Sequence, residues 1–249
     1  MRIIHFTTDR RHGHARAPRA LSLLLRRKRL PAAPAVAEQV HGSKVVWVPL
    51  LTVETKYPGA DGLLTQAVDQ PLAIFTADCV PVFLSVPSRQ VVGLLHAGWR
   101  GVRGEILKKA VSSIQKYVRC PAGEISIWTG PAIGPCCFEV KWDVARYFPA
   151  TRRRRKDRWI LDLSAEIRRQ ARRLGVRFIS KPGGRTCTMH HRQFYSFRRD
   201  ATMNRQVSVI LMKDRRPRRH YGVGVRRRLS GGMPLSGAHL GSPAKGRGG

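Results

Sequence analysis

Acidic residues are scarce in this chain: 15 Asp and Glu stand against 47 Lys and Arg in 249 residues, a formal net charge of +32. Aromatic residues make up only 7%. They are not interleaved with the basic runs, which argues against a stacking platform for single-stranded nucleic acid. Long apolar runs are absent too. LSLLL, VVGLL and VSVILM fall far short of the roughly 20 residues that cross a bilayer, so no membrane association is expected. The first twenty residues carry arginines and histidines but neither the apolar segment nor the cleavage site of a secretory signal, which leaves the cytoplasm as the expected compartment. No CxxC pair occurs, so neither a zinc ribbon nor a redox dithiol is expected. The five cysteines, Cys79, Cys120, Cys136, Cys137 and Cys187, are odd in number and two are adjacent. That is a poor basis for a disulfide framework. Buried thiols or ligands are the better reading.

The excess of positive charge is localised. Residues 38–149 hold 11 basic and 9 acidic residues, a net of +2, whereas residues 1–37 carry +8 and residues 150–249 carry +22. A nearly neutral centre with basic flanks reads as an arginine-rich solvated surface, whose binding to nucleic acid would be at most non-specific and salt-dependent. Hydrophobic residues at 42% are enough for a real core, and the length suits one large domain or two small ones.

Residues 1–37 show no clear periodicity, although a short strand can start near Ile3 and LSLLLRRKRL can form a helix ended by Pro31. From Gln39 to Val140 the pattern is α/β. KVVWV, PLAIF, VFLSV, VVGLLH and ISIWTG are short apolar runs divided by Gly, Pro and Asp, as expected for strands of a largely buried sheet. VRGEILKKAVSSIQKYV places Val102, Ile106, Ala110, Ile114 and Tyr117 at helical spacing. LDLSAEIRRQARRLG does the same with Leu163, Ile167, Ala171 and Leu174, and Gly175 sits where a left-handed cap belongs. RRRRK (152–156) reads as a loop and VSVILM as a final strand. After Lys213 the chain is rich in Gly, Arg, Pro and Ser without apolar period, and reads as a disordered basic tail. This divides the chain into an atypical amino-terminal segment (1–37), a catalytic domain (38–212) and a tail (213–249).

Three soft or borderline donors end or follow strand-like or turn-like segments: His41 in EQVHGSKV, Cys79 in FTADCVPVFL and His96 in LLHAGWRG. Imidazole and thiolate suit zinc or copper. Three protein ligands leave a fourth position open, the arrangement in which catalytic metals acidify a bound water. Taken singly, each histidine reads equally as a structural residue and Cys79 as a small buried hydrophobe. Small and turn-forming neighbours (Gly42, Pro81, Ala97, Gly98) would permit close approach. Asp78 can orient a ligand histidine or take a proton, or simply make a turn. Arg100 can grip a phosphate with its planar fork or pair with a carboxylate. GPAIGPCCFEV, with Gly134 and Phe138, can present backbone N–H groups to an anion. FYSFRRD pairs aromatics with Arg198 and Arg199, suiting either a stacked base or plain core packing.

The ordered set QVHGSKV, ADGLLT, TADCVPVFL, HAGWRG, GPAIGPCCFEV and FYSFRRD, from about Glu38 to Met212, resembles the laccase-domain family, also called the YfiH or multicopper polyphenol oxidase family. That resemblance implies an α/β sandwich with a mixed sheet, similar to the cysteine-hydrolase fold of a bacterial deamidating toxin. It implies that His41, Cys79 and His96 are the metal ligands, for zinc or for copper. It also implies phosphate-dependent cleavage of purine nucleosides (adenosine, inosine, guanosine and methylthioadenosine) together with adenosine deaminase activity. In that reading Asp78 shuttles a proton, Arg100 holds the phosphate with help from the backbone near Gly134, and Phe138, Arg198 and Arg199 contact substrate. The chain would act as a monomer or homodimer. Three features depart from the family pattern. SLNLG and NR elements are missing before His41, Met203 and Asn204 replace a TGR-like turn, and the Arg-rich tail lies outside the pattern. Competing readings are an amidase or peptidoglycan-editing hydrolase with Cys79 as nucleophile and His96 as base, a copper polyphenol oxidase, and a nucleic-acid-binding module driven by charge.

Overall fold

Residues 1–13, 19–180 and 186–214 are described by a computed structural model. The expected disordered tail begins at Asp214, and from residue 215 onward it lies outside the described residues. The strands are β1 (Arg2–Thr7), β2 (Ala35–Ala37), β3 (Val45–Trp47), β4 (Thr55–Tyr57), β5 (Gly62–Thr65), β6 (Leu72–Thr76), β7 (Val80–Val86), β8 (Val91–Ala97), β9 (Ser126–Thr129), β10 (Glu139–Val140), β11 (Arg152–Arg155), β12 (Arg158–Leu161), β13 (Arg177–Phe178) and β14 (Gln206–Lys213). The helices are α1 (Ala20–Arg27), α2 (Trp99–Arg103), α3 (Ile106–Val118), α4 (Trp142–Ala145), α5 (Leu163–Arg173) and α6 (Phe197–Asp200).

Two mixed sheets dominate. One has the order β1-β14-β6-β2-β4 and the other β13-β9-β7-β8-β5-β3, with a small antiparallel sheet β10-β12-β11 beside them. In the first sheet β2 runs parallel to both β4 and β6, while β14 is antiparallel to β1 and β6. In the second, β7, β8, β9 and β5 pair antiparallel, and parallel strands β3 and β13 close the two edges. The strand period of two sorts side chains into layers. Leu72, Ile74, Ile210 and Met212 of the first sheet meet Phe83, Leu94 and Trp128 of the second, forming the core between the sheets. The alternate residues Ala73, Phe75, Val209 and Leu211 face Leu21 and Leu25 of α1. On the far side of the second sheet, Val82, Leu84 and Leu95 pack with Ile106, Ala110 and Ile114 of α3 and Ile167 and Ala171 of α5. Both faces of both sheets are therefore covered, which is why their strands read as continuous apolar runs.

The expected strands and α5 are present, and Gly175 has φ +71 as its cap position predicts. Residues 1–37 contribute β1 and β2 to the first sheet and α1, which packs against it. Two expectations fail. The long helix expected over 102–118 breaks into α2 and α3 at Gly104 and Glu105, where Glu105 is left-handed (φ 57). Tyr117 leaves the buried face and is exposed, stacking on Trp47 at 4.3 Å instead. RRRRK is not a loop. Arg152–Arg155 forms β11, paired antiparallel with β12, and the Arg152 guanidinium lies over Trp142 and Trp159. Four consecutive cations carry no apolar alternation, so nothing local signals this edge strand.

Gly93 marks the tightest packing in the second sheet. A Cβ there would fall 2.5 Å from Leu64 Cδ2 and 3.3 Å from the Leu63 carbonyl oxygen. Gly93→Ala should cost about 1–3 kcal/mol of stability by overpacking. A urea midpoint equal to that of the parent chain would contradict this packing.

Candidate metal centre

The two sheets bring three distant segments to one point. His41 sits in the turn that follows β2, in a left-handed conformation (φ 61). Cys79 lies between β6 and β7, after the left-handed Asp78 (φ 91). His96 is near the end of β8, opposite Pro81 of β7, and only 3% exposed. The ligand atoms of His41, Cys79 and His96 all lie within 4.8 Å of one another. His96 is thus neither a plain core histidine nor an isolated one. The glycines of LLHAGWRG are explained by the same convergence. A Cβ at Gly98 would meet Cys79 Sγ at 3.2 Å and His41 Cδ2 at 3.3 Å, and one at Gly101 would meet the Gly42 carbonyl oxygen at 2.8 Å.

Asp61, just before β5 and wholly buried, organises the centre. Its Oδ1 lies 2.7 Å from His96 Nδ1 and accepts the His41 backbone N–H at 3.0 Å. Its Oδ2 accepts from Val40 N at 3.2 Å and Gly42 N at 2.7 Å, and its carbonyl oxygen accepts from His96 N at 2.7 Å. One carboxylate therefore holds the turn carrying His41 and orients the His96 ring, leaving Nε2 for the centre. Burial opposes the charge on Asp61, but the bonds from His96, Gly42 and His41 hold its carboxyl below the usual carboxylate range. Gln39 supplies a second brace, exchanging hydrogen bonds with the Phe75 backbone at 2.6 and 2.8 Å.

The electrostatics follow from this geometry. Burial by itself would push the Cys79 thiol up. The His96 charge and hydrogen bonds to His41 and His96 overcome it and bring the thiol down to about 6. Burial likewise opposes a charged His96, but the Cys79 thiolate and Asp61 raise it to about 9. Without a cation, the two groups form an imidazolium–thiolate pair, and a thiolate at neutral pH is the form that binds a metal.

A cavity of about 310 Å³ opens over the centre, lined by Gln39, Thr76, Asp78, Ile133, Phe138, Phe197, Arg198 and Arg205 as well as the three donors. Other sequence-predicted residues divide between this cavity and the scaffold. Asp78 lines it, but Oδ1 already accepts from Thr188 Oγ1 at 2.6 Å and Oδ2 from Arg198 N at 2.7 Å. Phe138 and Arg198 line it together, and the Arg198 guanidinium also donates to the Glu139 carbonyl at 2.8 Å. Arg199 does not reach it. Its guanidinium donates to the Thr188, Met189 and Phe194 carbonyls and to Asp200, which makes it a scaffold residue. Arg100 is exposed on α2, lies over its neighbour Trp99 and is not part of the cavity lining. The Gly134 N–H is spent on Cys187 Sγ at 3.3 Å rather than aimed at the cavity. Phe194 is core while Phe197 is half exposed. Asp61, Gln39, Thr188 and Arg205 carry no local signal that would single them out. Asp61 stood within ADGLLT, where an aspartate before glycine reads as a turn.

Among the described residues no helix is long and apolar enough to cross a membrane. A family described as "Multi-copper polyphenol oxidoreductase laccase" matches residues 9–213, taking in residues 9–37 that the six motifs do not reach. A "Purine nucleoside phosphorylase" of Xylella fastidiosa is 34% identical over 192 residues, covering 72% of each chain. The "Purine nucleoside phosphorylase YfiH" of Escherichia coli is 33% identical, covering 73% of this chain and 74% of its own. Among solved structures, YlmD from Geobacillus stearothermophilus superposes with a TM-score of 0.69 at 29% identity, covering 78% of this chain and 79% of its own. A Bacillus licheniformis protein called YfiH gives the same TM-score at 25% identity, covering 78% and 80%.

Two outcomes follow from the Asp61 clamp. In metal-free protein, alkylation of Cys79 by iodoacetamide should accelerate as pH rises through about 6, because the thiolate exists above that value. An inflection at the ordinary thiol value of roughly 8.5 would contradict the pairing. Asp61→Asn should move the inflection upward and weaken zinc affinity about 10–100-fold, as read by competition with a chromogenic chelator.

Proposed function

The chain belongs to the multi-copper polyphenol oxidoreductase laccase family, and from that membership we propose that it is a metal-dependent purine nucleoside phosphorylase that can also deaminate adenosine. The observation that carries this reading is the His41–Cys79–His96 donor set at the base of the cavity. Two imidazoles and a thiolate match a borderline-soft ion, zinc in the first instance and copper as the alternative. The three donors fit that ion, because His96 Nδ1 is engaged by Asp61 while Cys79 is held as thiolate. When bound, the ion would supply a Lewis acid with a face open to the reactant.

This chain's own residues supply the rest. Phe138 and Phe197 offer aromatic surface for a purine. Arg198 and Arg205 are the cations of the lining and take over, in this proposal, the phosphate-holding role expected of Arg100. Phosphorolysis forms a bond from a phosphate oxygen to C1′ of the ribose and breaks the bond from C1′ to the purine nitrogen, so the departing base must receive a proton. Asp78 lines the cavity, held in place by Thr188 and the Arg198 backbone, and its carboxylate can take the proton that the attacking dihydrogen phosphate gives up and pass it to the departing base. In deamination, water adds at C6 and gives a proton to the same carboxylate, which relays it to the amino nitrogen as the C6–N bond breaks and ammonia leaves. The substrates expected are adenosine, inosine, guanosine and methylthioadenosine, and binding of nucleic acid by the basic flanks is at most non-specific.

One observation favours a second reading. Cys79, His96 and Asp61 form a connected thiolate–imidazole–carboxylate series, the arrangement of a cysteine hydrolase acting on amides. A copper polyphenol oxidase ranks below both, because one His/Cys/His set lacks the histidines of a multinuclear centre.

His41→Ala, Cys79→Ala and His96→Ala should each lower zinc content and adenine release together, turnover falling by about 10²-fold or more. Chromatography of adenosine incubated with and without phosphate should give adenine only with phosphate, and inosine without it. Full turnover in the variant lacking all three donors would overturn the metal's role. Rapid loss of activity when iodoacetamide is added to zinc-loaded enzyme would favour the hydrolase.

A further inference from the structure

A second group of soft donors shares no residue with the first. Cys136, Cys137, Cys187 and His190 offer three sulfurs and one ring nitrogen, all within 4.8 Å of one another. Cys136 Sγ lies 3.6 Å from His190 Nδ1, and Cys137 Sγ lies 3.2 Å from His190 Nε2. A tetrahedral ion with bonds of about 2.3 Å to sulfur and about 2.0 Å to nitrogen has ligand–ligand edges of roughly 3.5–3.8 Å, so small side-chain rotations suffice. Cys187 and His190 are separated by two residues, the spacing of paired ligands in structural zinc sites. Cys187 Sγ also accepts a hydrogen bond from the backbone N–H of Gly134 at 3.3 Å. A Cβ at Gly134 would meet Cys136 Sγ at 3.2 Å and Cys187 Cβ at 3.3 Å, so the turn is drawn in tightly around these sulfurs.

We propose that Cys136, Cys137, Cys187 and His190 bind a second thiophilic divalent cation, zinc in the first instance, in a closed four-ligand site with a structural role. Four protein donors leave no open position, which separates this site from the three-donor centre. Its place in the fold gives the role. It ties the turn at 134–138, whose Phe138 lines the cavity, to the turn at 187–190, whose Thr188 holds the cavity residue Asp78. Ile133 and Phe138 flank the cysteine pair and line the cavity. Ile133 N donates to the Asp78 carbonyl at 2.9 Å, while Thr188 Oγ1 donates to Asp78 Oδ1. A cation here fixes two of the chain segments that hold Asp78, the third being the Arg198 backbone. His190 ligates through one ring nitrogen only, and the other stays free to hydrogen-bond.

The test counts metal in the full chain, purified with thiols reduced, loaded with zinc and dialysed. The parent chain should retain about two zinc ions. The variant His41→Ala/Cys79→Ala/His96→Ala should retain about one, and Cys136→Ser/His190→Ala should also retain about one. Cys136 and His190 are both exposed, so that double exchange leaves the core untouched, which circular dichroism checks. Cobalt(II) added to the first variant should give strong thiolate-to-cobalt absorption, and the second variant should lose most of the parent's signal. The proposal is overturned if the His41/Cys79/His96 variant holds neither zinc nor cobalt. It is equally overturned if mass spectrometry finds a Cys136–Cys187 disulfide in reduced, zinc-loaded protein. Adenosine turnover plays no part in these readouts, so they stand apart from the proposed phosphorylase activity.

Discussion

A buried carboxylate is expensive unless every lone pair is met, and Asp61 meets that demand by gathering the site around itself. Its side chain takes three successive backbone N–H groups from Val40 to Gly42 and the His96 ring nitrogen. Those bonds decide where His41 can be and which nitrogen His96 presents. Removing them would leave the left-handed His41 turn with only the Gln39 brace, and a buried charge with no partner. The imidazolium–thiolate pair of His96 and Cys79 depends on the same carboxylate, since Asp61 is among the groups that keep His96 charged.

The packing explains why this clamp can be so exact in position. Asp61 immediately precedes β5 and His96 is near the end of β8, two strands paired in register in a sheet covered on both faces. Glycine occurs where the layers leave no room: Gly93 under Leu64, Gly98 against Cys79, and Gly101 against the Gly42 carbonyl. The strands act as a rigid frame, and the irregular turns after β2 and β6 carry the donors, a division suited to placing reactive groups on a fixed scaffold. The cysteine-rich turns on the other side of the cavity extend the same logic. They carry Phe138, which lines the cavity, and Thr188, which holds Asp78.

Much of the fold was legible in the chain. Apolar runs separated by Gly, Pro and Asp located the buried strands, and helical spacing located α3 and α5, because burial on one or both faces leaves a periodic trace. What escaped had no such trace. Four arginines form β11 because β12 offers a ladder and two tryptophans offer faces for Arg152. Glu105 interrupts a helix whose apolar spacing runs on without a break.

For the site, sequence alone determined the donor types. Two imidazoles and a thiol, each beside small or turn-forming residues, are chemistry that composition carries, and the six ordered motifs tie them to one family. Only the tertiary structure decided the assembly. Asp61 is an ordinary turn aspartate until β5 pairs with β8. Arg100 and Arg199 look as suited to a phosphate as Arg198 and Arg205, until α2 turns one outward and backbone carbonyls consume the other. The reason is physical: a side chain's chemistry is local, but its available lone pairs, its charge state and its neighbours are set by segments dozens of residues away.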